Sequence, residues 1–307
     1  LQPLSYEKQL AFKADKVRND LQRIGGFAPD LLGQILEPIV GMQEPWHYRN
    51  KAQYPFGKDR NGNAITGFYA GRTHSIIAHT DCLLGAKENQ AILQAVLDYL
   101  QETHTLPYDE ETGKGLLRHT LIRKSRKTGH LMVCLILNGR KLPAQEILLQ
   151  KLQRIPQVSS VSLNVNTEKT NVILGKETHT IWGEDSIEDA LRLWEKLPDA
   201  AVEAGNNASG DSEGNTPGTS EGDAFPGYRL TEQEITYRIS PNSFYQVNPV
   251  QTQKLYSLAL EFAQLTGQET VWDLYCGIGT ISLFLARHAK QVYGVEIVPQ
   301  AIEDAQK

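Results

Sequence analysis

Near the end of the sequence, Asp273, Gly277, Gly279 and Glu296 have the types and spacing to hold a ligand. Glycine at 277 and 279 removes Cβ atoms where a backbone must turn sharply and let a ligand come close. Val271 to Thr280 reads as a buried strand running into that turn, and the apolar-periodic run Ile281 to Ala286 as the start of a helix. A second strand, Gln291 to Val295, leads to Glu296, whose carboxylate can accept a pair of ribose hydroxyls. This is the first β-α-β unit of a dinucleotide-like fold. NAD enzymes and S-adenosylmethionine (SAM) methyltransferases share the layout, and a plain structural turn is the simpler alternative. Two residues favour SAM. Ser282 replaces the third glycine of G-x-G-x-x-G, which counts against close pyrophosphate packing, and Asp273 completes D-x-x-x-G-x-G.

Upstream lies Ile239-Ser240-Pro241-Asn242-Ser243-Phe244-Tyr245-Gln246-Val247-Asn248-Pro249, where amides and hydroxyls alternate with adjacent aromatics and two prolines. Alone it reads as a surface loop with an aromatic plug. Together with the glycine turn and with Trp46-His47-Tyr48-Arg49-Asn50-Lys51-Ala52-Gln53-Tyr54-Pro55, it resembles the RNA uracil-C5 methyltransferase family. The tyrosine-arginine-asparagine-lysine form is similar to the ribosomal-RNA branch. The resemblance runs from Leu1 to Lys307, apart from one insertion.

The resemblance implies a mixed α/β RNA-binding (substrate) domain followed by the first β-α-β unit of a Rossmann-like SAM-dependent methyltransferase domain. It also implies action on C5 of a uridine in 23S rRNA. Gln246, Tyr275 and Glu296 would contact SAM beside Asp273, Gly277 and Gly279. Gln246 can both donate and accept hydrogen bonds, as a zwitterionic tail requires, and Tyr275 offers a flat apolar face. Phe244 is a platform for an unstacked base or, equally, a core phenylalanine. In the family a cysteine thiolate adds to uracil C6 and a carboxylate removes the C5 proton. Both groups are expected beyond Lys307, and Cys276 is expected to be only part of the turn. Cys82 corresponds to the fourth ligand of a [4Fe-4S] cluster whose other ligands would precede Leu1. One thiolate cannot hold a cubane, so the cluster is expected only in a longer protein. The chain is thus read as a piece of a larger enzyme, inactive alone. The other readings are a non-catalytic RNA-binding module with a vestigial SAM turn and an NAD-dependent oxidoreductase.

These residues need elements to hold them. Residues 1–40 open with an amphipathic helix through Leu10, Phe12, Val17, Leu21 and Ile24, broken at Gly25-Gly26. Residues 41–195 read as the α/β substrate domain. Within it we expect a hairpin around Asn61-Gly62-Asn63, helices at 89–103 and 143–154, and strands at 117–124, 130–137, 161–165 and 171–181. Residues 196–228 read as a disordered acidic insertion, and 229–307 as the incomplete SAM domain. The run 200–227 holds five acids and neither Lys nor Arg, so it accounts for the whole formal charge of −5. The acidic balance therefore does not exclude RNA.

Locally the chain is basic. Lys114, Arg118, Arg123, Lys124, Arg126 and Lys127 lie around a turn at Lys127-Thr128-Gly129 with no acid among them. By charge alone this is a phosphate-binding hairpin or a solvated tip, and the resemblance favours RNA. A second group, Arg49, Lys51, Lys58, Arg60 and Arg72, surrounds the front motif. Cys134 reads as a small buried residue. No secretory or membrane-spanning segment is evident, so the expectation is a cytoplasmic monomer without membrane contact.

Overall fold

The computed structural model describes residues 1–198 and 225–306. Leu1–Pro45 form one unit, and the described residues from Trp46 onward form the other. In the first, α1 (Tyr6–Arg23) starts at Ser5, whose side chain accepts the Lys8 N–H, with Glu7 in the first turn and Arg23 in the last. These charges complement the helix dipole. The expected helix is present and ends before Gly25-Gly26, but it buries none of its residues, and Phe12, Val17 and Ile24 are exposed. A short α2 (Pro29–Ile35) follows and buries Leu32.

The second unit is built on a seven-stranded sheet. Its strands are β1 (Lys51–Lys58), β2 (Ala64–Tyr69), β3 (Ile76–Ala78), β4 (Leu117–Lys124), β5 (Leu131–Leu137), β6 (Val158–Val165) and β7 (Glu177–Gly183), in the spatial order β3-β2-β1-β4-β5-β6-β7. Neighbours are antiparallel except β5 and β6, which run parallel. All seven residues of β5 are buried, as a continuous apolar run in a strand covered on both faces requires. α3 (Asn89–Thr103) and α4 (Gln145–Leu152) cover one face. α3 buries Ile92, Leu93, Val96, Tyr99 and Leu100, a helical stripe that packs with Tyr54, Ile122, Val133 and Leu135. The opposite face carries Leu121, Cys134 and Ile136 under Ile173 and Leu174.

The strand expected at 171–181 is displaced to Glu177–Gly183. The Asn166 side-chain amide donates to the carbonyls of Val172 and Ile173, and that of Asn164 donates to the carbonyl of Gly175. These bonds hold 172–175 as a loop that caps the sheet.

Two long strands, β8 (Ile187–Lys196) and β9 (Tyr228–Ile239), pair antiparallel as a separate ribbon. Its inner face packs Ile187, Leu191, Ile235, Tyr237 and Ile239 with Met132 of the main sheet and with Tyr245, Tyr256, Ile278 and Phe284. The ribbon thereby joins the large sheet to the site elements. Most of the acidic run, 199–224, lies outside the described residues. Phe225, at its end, is buried instead of solvated, stacked on Tyr228 at 4.0 Å and edge-on to Trp194.

α5 (Pro249–Ala263) begins at Asn248, whose side chain accepts the Gln251 N–H, with proline in its first turn. The final elements are β10 (Thr270–Asp273), α6 (Thr280–Leu285), β11 (Gln291–Gly294) and α7 (Pro299–Ala305), with β10 and β11 parallel. No helix among the described residues is long and apolar enough to cross a membrane.

Candidate active site

The glycine turn joins β10 to α6. Gly277 and Gly279 have φ of 56° and 78°, a region other residues enter only under strain, and a Cβ at either would meet nothing within 4 Å. The turn is therefore open on its outer side, with room for a ligand. Gly294 does the opposite job. A Cβ there would lie 2.9 Å from the Cys276 sulfur, so glycine lets β11 close against the turn. Glu296 lies two residues past β11. One carboxylate oxygen accepts the Gly277 N–H at 3.0 Å and the other the Val298 N–H at 2.9 Å. Those bonds, Val298 first, hold its pKa below the usual carboxylate range. Asp273 accepts from the Ser282 hydroxyl at 2.6 Å. The residue that breaks the third-glycine position thus ties the strand end to the helix. Tyr275 is 91% exposed beside this turn. An anionic carboxylate, a flat ring and an open backbone turn suit a ligand with a ribose and an aromatic base.

The 239–249 string reaches the turn through tyrosines. Burial alternates along it: Pro241, Ser243 and Tyr245 are buried, whereas Asn242 and Phe244 are exposed. Phe244 is 62% exposed, which corrects the expectation of a core phenylalanine. Gln246 lies within hydrogen-bonding reach of the Tyr256 hydroxyl. That hydroxyl meets the Thr280 side chain at 3.0 Å, and Tyr237 donates to the Thr280 carbonyl at 2.9 Å. Gln246, Tyr256, Thr280 and Asp273 therefore converge, although the sequence offered no sign that Tyr237 and Tyr256 would connect them.

The front motif anchors the same string. The Asn50 side chain donates to the Gln246 carbonyl at 2.9 Å, and its backbone N–H donates to the Val247 carbonyl at 3.0 Å. From β4, the buried Arg123 guanidinium donates to the carbonyls of Pro241 and Ser243. Desolvation lowers the Arg123 pKa to about 10. Two motifs almost 200 positions apart thus meet through backbone carbonyls.

This placement corrects part of the basic hairpin. Arg118 and Arg123 are each only 3% exposed and face inward. Arg118 donates to the carbonyls of Asn166 and Glu168 and lies over the Tyr108 ring. Both sit within strand β4, where side chains point into packed faces whatever the charge of the neighbouring sequence. Lys124 pairs with Glu88 at 2.6 Å, and Lys127 pairs with Glu188 and Glu234 at 2.8 Å. The turn itself is locked by buried Asp189, one oxygen of which accepts the N–H groups of Arg126, Lys127 and Ala190. In the second basic group, Arg49 and Lys51 are half-buried. Desolvation, then the charges of Arg123 and Arg49, lower the Lys51 pKa to about 8.

None of the three cysteines is disulfide-bonded. Burial, then Asp273 and Glu296, push the Cys276 thiol up, and burial pushes Cys134 up to about 11. Neither is poised as a thiolate. Cys82 is half-buried in a loop held by His47 and Arg49, whose backbone N–H groups donate to the carbonyls of Leu83 and Leu84. Among the described residues, no group of three or more His, Cys, Asp or Glu is placed to hold a metal ion. Cys82 alone does not fit an iron–sulfur cluster.

The fold and the glycine turn define a mixed α/β protein with β-α-β units of the Rossmann-like methyltransferase kind. Residues 226–307 match the family model described as tRNA (Uracil-5-)-methyltransferase. Over its full length the chain is 43% identical to an uncharacterised RNA methyltransferase of Halalkalibacterium halodurans, 41% identical to one of Bacillus cereus and 39% identical to one of Staphylococcus aureus. It spans 57–58% of the length of these relatives. The crystal structure of Pyrococcus abyssi tRNA (uracil-54, C5)-methyltransferase in complex with S-adenosyl-L-homocysteine superposes with a TM-score of 0.68. The match is 23% identical and covers 100% of this chain and 59% of that one. The structural likeness shows the fold; over its whole length the chain is similar to RNA methyltransferases, and over residues 226–307 to the tRNA (Uracil-5-)-methyltransferase model.

Proposed function

We propose that this chain is the RNA-binding (substrate) domain and the front of the catalytic domain of a SAM-dependent enzyme that methylates C5 of a uridine in 23S rRNA. The observation that carries the reading is the convergence of Gln246, Tyr256, Thr280 and Asp273 at an open glycine turn closed by Glu296. SAM, when bound, supplies an electrophilic methyl group. Glu296 would accept its ribose hydroxyls, Tyr275 would lie against its base, and Gln246 would hold its amino-acid end. Phe244 would stack on the target base, with Arg49 and Lys51 toward the RNA backbone. The ribosomal branch rests on the Tyr48-Arg49-Asn50-Lys51 form of the front motif. Arg126, Lys124 and Lys127 are secondary RNA contacts in this reading, since the two lysines would have to leave or share their acidic partners.

Carbon 5 of uracil becomes nucleophilic only after a thiolate has added at C6, and its proton must leave to a base after methyl transfer. Cys276 and Cys134 are buried with raised pKa values, and the chain spans 57–58% of the length of its relatives, so in this reading the nucleophile and the base belong to the part of those relatives that the chain does not span. A [4Fe-4S] cluster at Cys82 is likewise assigned only to a longer form. The test is 5-methyluridine formation in 23S rRNA by a chain extended to the length of its relatives, with labelled SAM. Methylation lost in Gln246→Ala is expected. Absence of 5-methyluridine from 23S rRNA would overturn the ribosomal reading, and its absence from tRNA as well would overturn the methyltransferase reading.

A further inference from the structure

Asp304 lies in the last turn of α7, where the helix dipole presents its negative end. A carboxylate there works against the helix, so its place is set by contacts outside α7. Its Oδ2 accepts the Ser243 hydroxyl at 2.9 Å and the Ser240 hydroxyl at 3.3 Å. The two hydroxyls lie 2.8 Å apart, and the Ser243 oxygen also accepts the Ser240 N–H at 2.9 Å. A hydroxyl carries one proton, so the carboxylate orders this network: Ser243 donates to Asp304, and its oxygen is left to accept from Ser240. Ser243 is buried, and its carbonyl accepts from the Arg123 guanidinium. One buried residue of the string is thus gripped twice, through its carbonyl by a cation from β4 and through its hydroxyl by an anion from α7.

The opposite end of α7 belongs to the glycine turn. Val298, the residue before the helix, donates its N–H to Glu296, whose other oxygen accepts the Gly277 N–H. Val298 to Asp304 spans about 9 Å of chain at the helical rise of ~1.5 Å per residue. Glu296 and the 240–243 turn are therefore fixed to the two ends of one short element. The string runs on from that turn to Gln246, whose carbonyl Asn50 holds.

We infer that Asp304 is a positioning residue, which through Ser240 and Ser243 sets Gln246 relative to Glu296. The two ends of one ligand, amino acid at Gln246 and ribose at Glu296, are then met together. Asp304 acts through the string and touches no ligand itself. That the ligand is SAM rests on the function proposed above; the grip on the two hydroxyls does not.

The test has two arms. Hydrogen exchange is measured on this chain without ligand, and binding by calorimetry on the chain extended to the length of its relatives. The probes are S-adenosylhomocysteine and methylthioadenosine, which keeps the adenosine and the thioether but lacks the amino-acid end. Asp304→Ala is expected to speed exchange at Phe244 to Val247. It should weaken S-adenosylhomocysteine about tenfold and change methylthioadenosine by no more than about twofold. Asp304→Asn keeps an acceptor oxygen and should recover most of the affinity. Ser243→Ala should lose as much as Asp304→Ala, and the double variant no more than either, since both remove one bond. Unchanged exchange at 244–247 in Asp304→Ala, or equal weakening of the two compounds, would overturn the positioning role and leave the SAM reading standing. If the extended wild type binds neither compound, the SAM reading falls and this role falls with it.

Discussion

Replacing Arg123 by methionine tests whether an internal cation holds the site string in place. The side chain is 3% exposed and donates to the carbonyls of Pro241 and Ser243. Hydrogen bonds from a charged donor contribute about 1.5–3 kcal/mol each, and the two carbonyls would be left buried without donors. Against this, methionine removes a desolvated charge and its repulsion with Lys51, which offsets part of the loss. The expected net destabilisation is about 2–4 kcal/mol, a fall in melting temperature on the order of 5–10 °C for a chain of this size. Hydrogen exchange should accelerate at Ser243 to Val247 beyond what the global change explains. Arg123→Lys should recover only part, since both bonds come from the terminal Nη2 and the lysine side chain, one atom shorter, reaches the two carbonyls less well. Lys114→Met, in the same basic run but exposed, should change stability by no more than about 0.5 kcal/mol. If Arg123→Met melted within a degree of the wild type with unchanged exchange at 243–247, the anchoring role would be wrong.

Asn50→Ala should cost about 1–3 kcal/mol by freeing the Gln246 carbonyl, read by urea denaturation, and should weaken SAM binding more than a control at Asn61; equal effects would argue against it. Lys51 has a folded pKa of about 8, below its unfolded value, so between about pH 8 and 10.5 the unfolded chain holds the extra proton. Stability should therefore rise with pH across that window, by on the order of 1 kcal/mol after solvent screening, and Lys51→Met should flatten the rise. Asp189→Ala removes the acceptor of three backbone N–H groups and should destabilise by about 2–4 kcal/mol, with faster exchange at Arg126 and Lys127 in the 125–129 turn; unchanged exchange there would refute the lock. In the native state at neutral pH, iodoacetamide should label Cys82 before Cys134 and Cys276; rapid labelling of Cys276 would reopen it as a nucleophile.

The parts of the fold legible in sequence are those where one physical signal dominates. The seven apolar residues of β5 and the helical stripe of α3 left little choice, and α3 spans the expected 89–103. β7 was obscured because the side-chain amides of Asn164 and Asn166 compete for the backbone of 172–175, a tertiary effect without periodicity. β8 and β9 each carry mixed charged and apolar residues, and each is stabilised by a partner far along the chain. The site divides in the same way. The glycine turn and Glu296 are local and could be found by spacing. Arg118 and Arg123 were grouped with Arg126 and Lys127 by proximity, yet strand geometry turns the first two inward. Tyr237, Tyr256 and the anchoring role of Asn50 depend on long-range packing and carry no local signature.

The ribbon of β8 and β9 has a practical consequence for engineering. Its neck is closed by the Leu197 N–H on the Gly227 carbonyl and by the Phe225–Tyr228 stack. Strand register is thus set below the point where the connecting chain departs. The entropy of closing a loop grows only with the logarithm of its length, so doubling the connection costs about 0.6 kcal/mol. A reporter peptide or affinity tag spliced between Ala200 and Ala224 should leave the β8–β9 register and the elements packed on the ribbon intact, making this junction a natural port for labelling the protein.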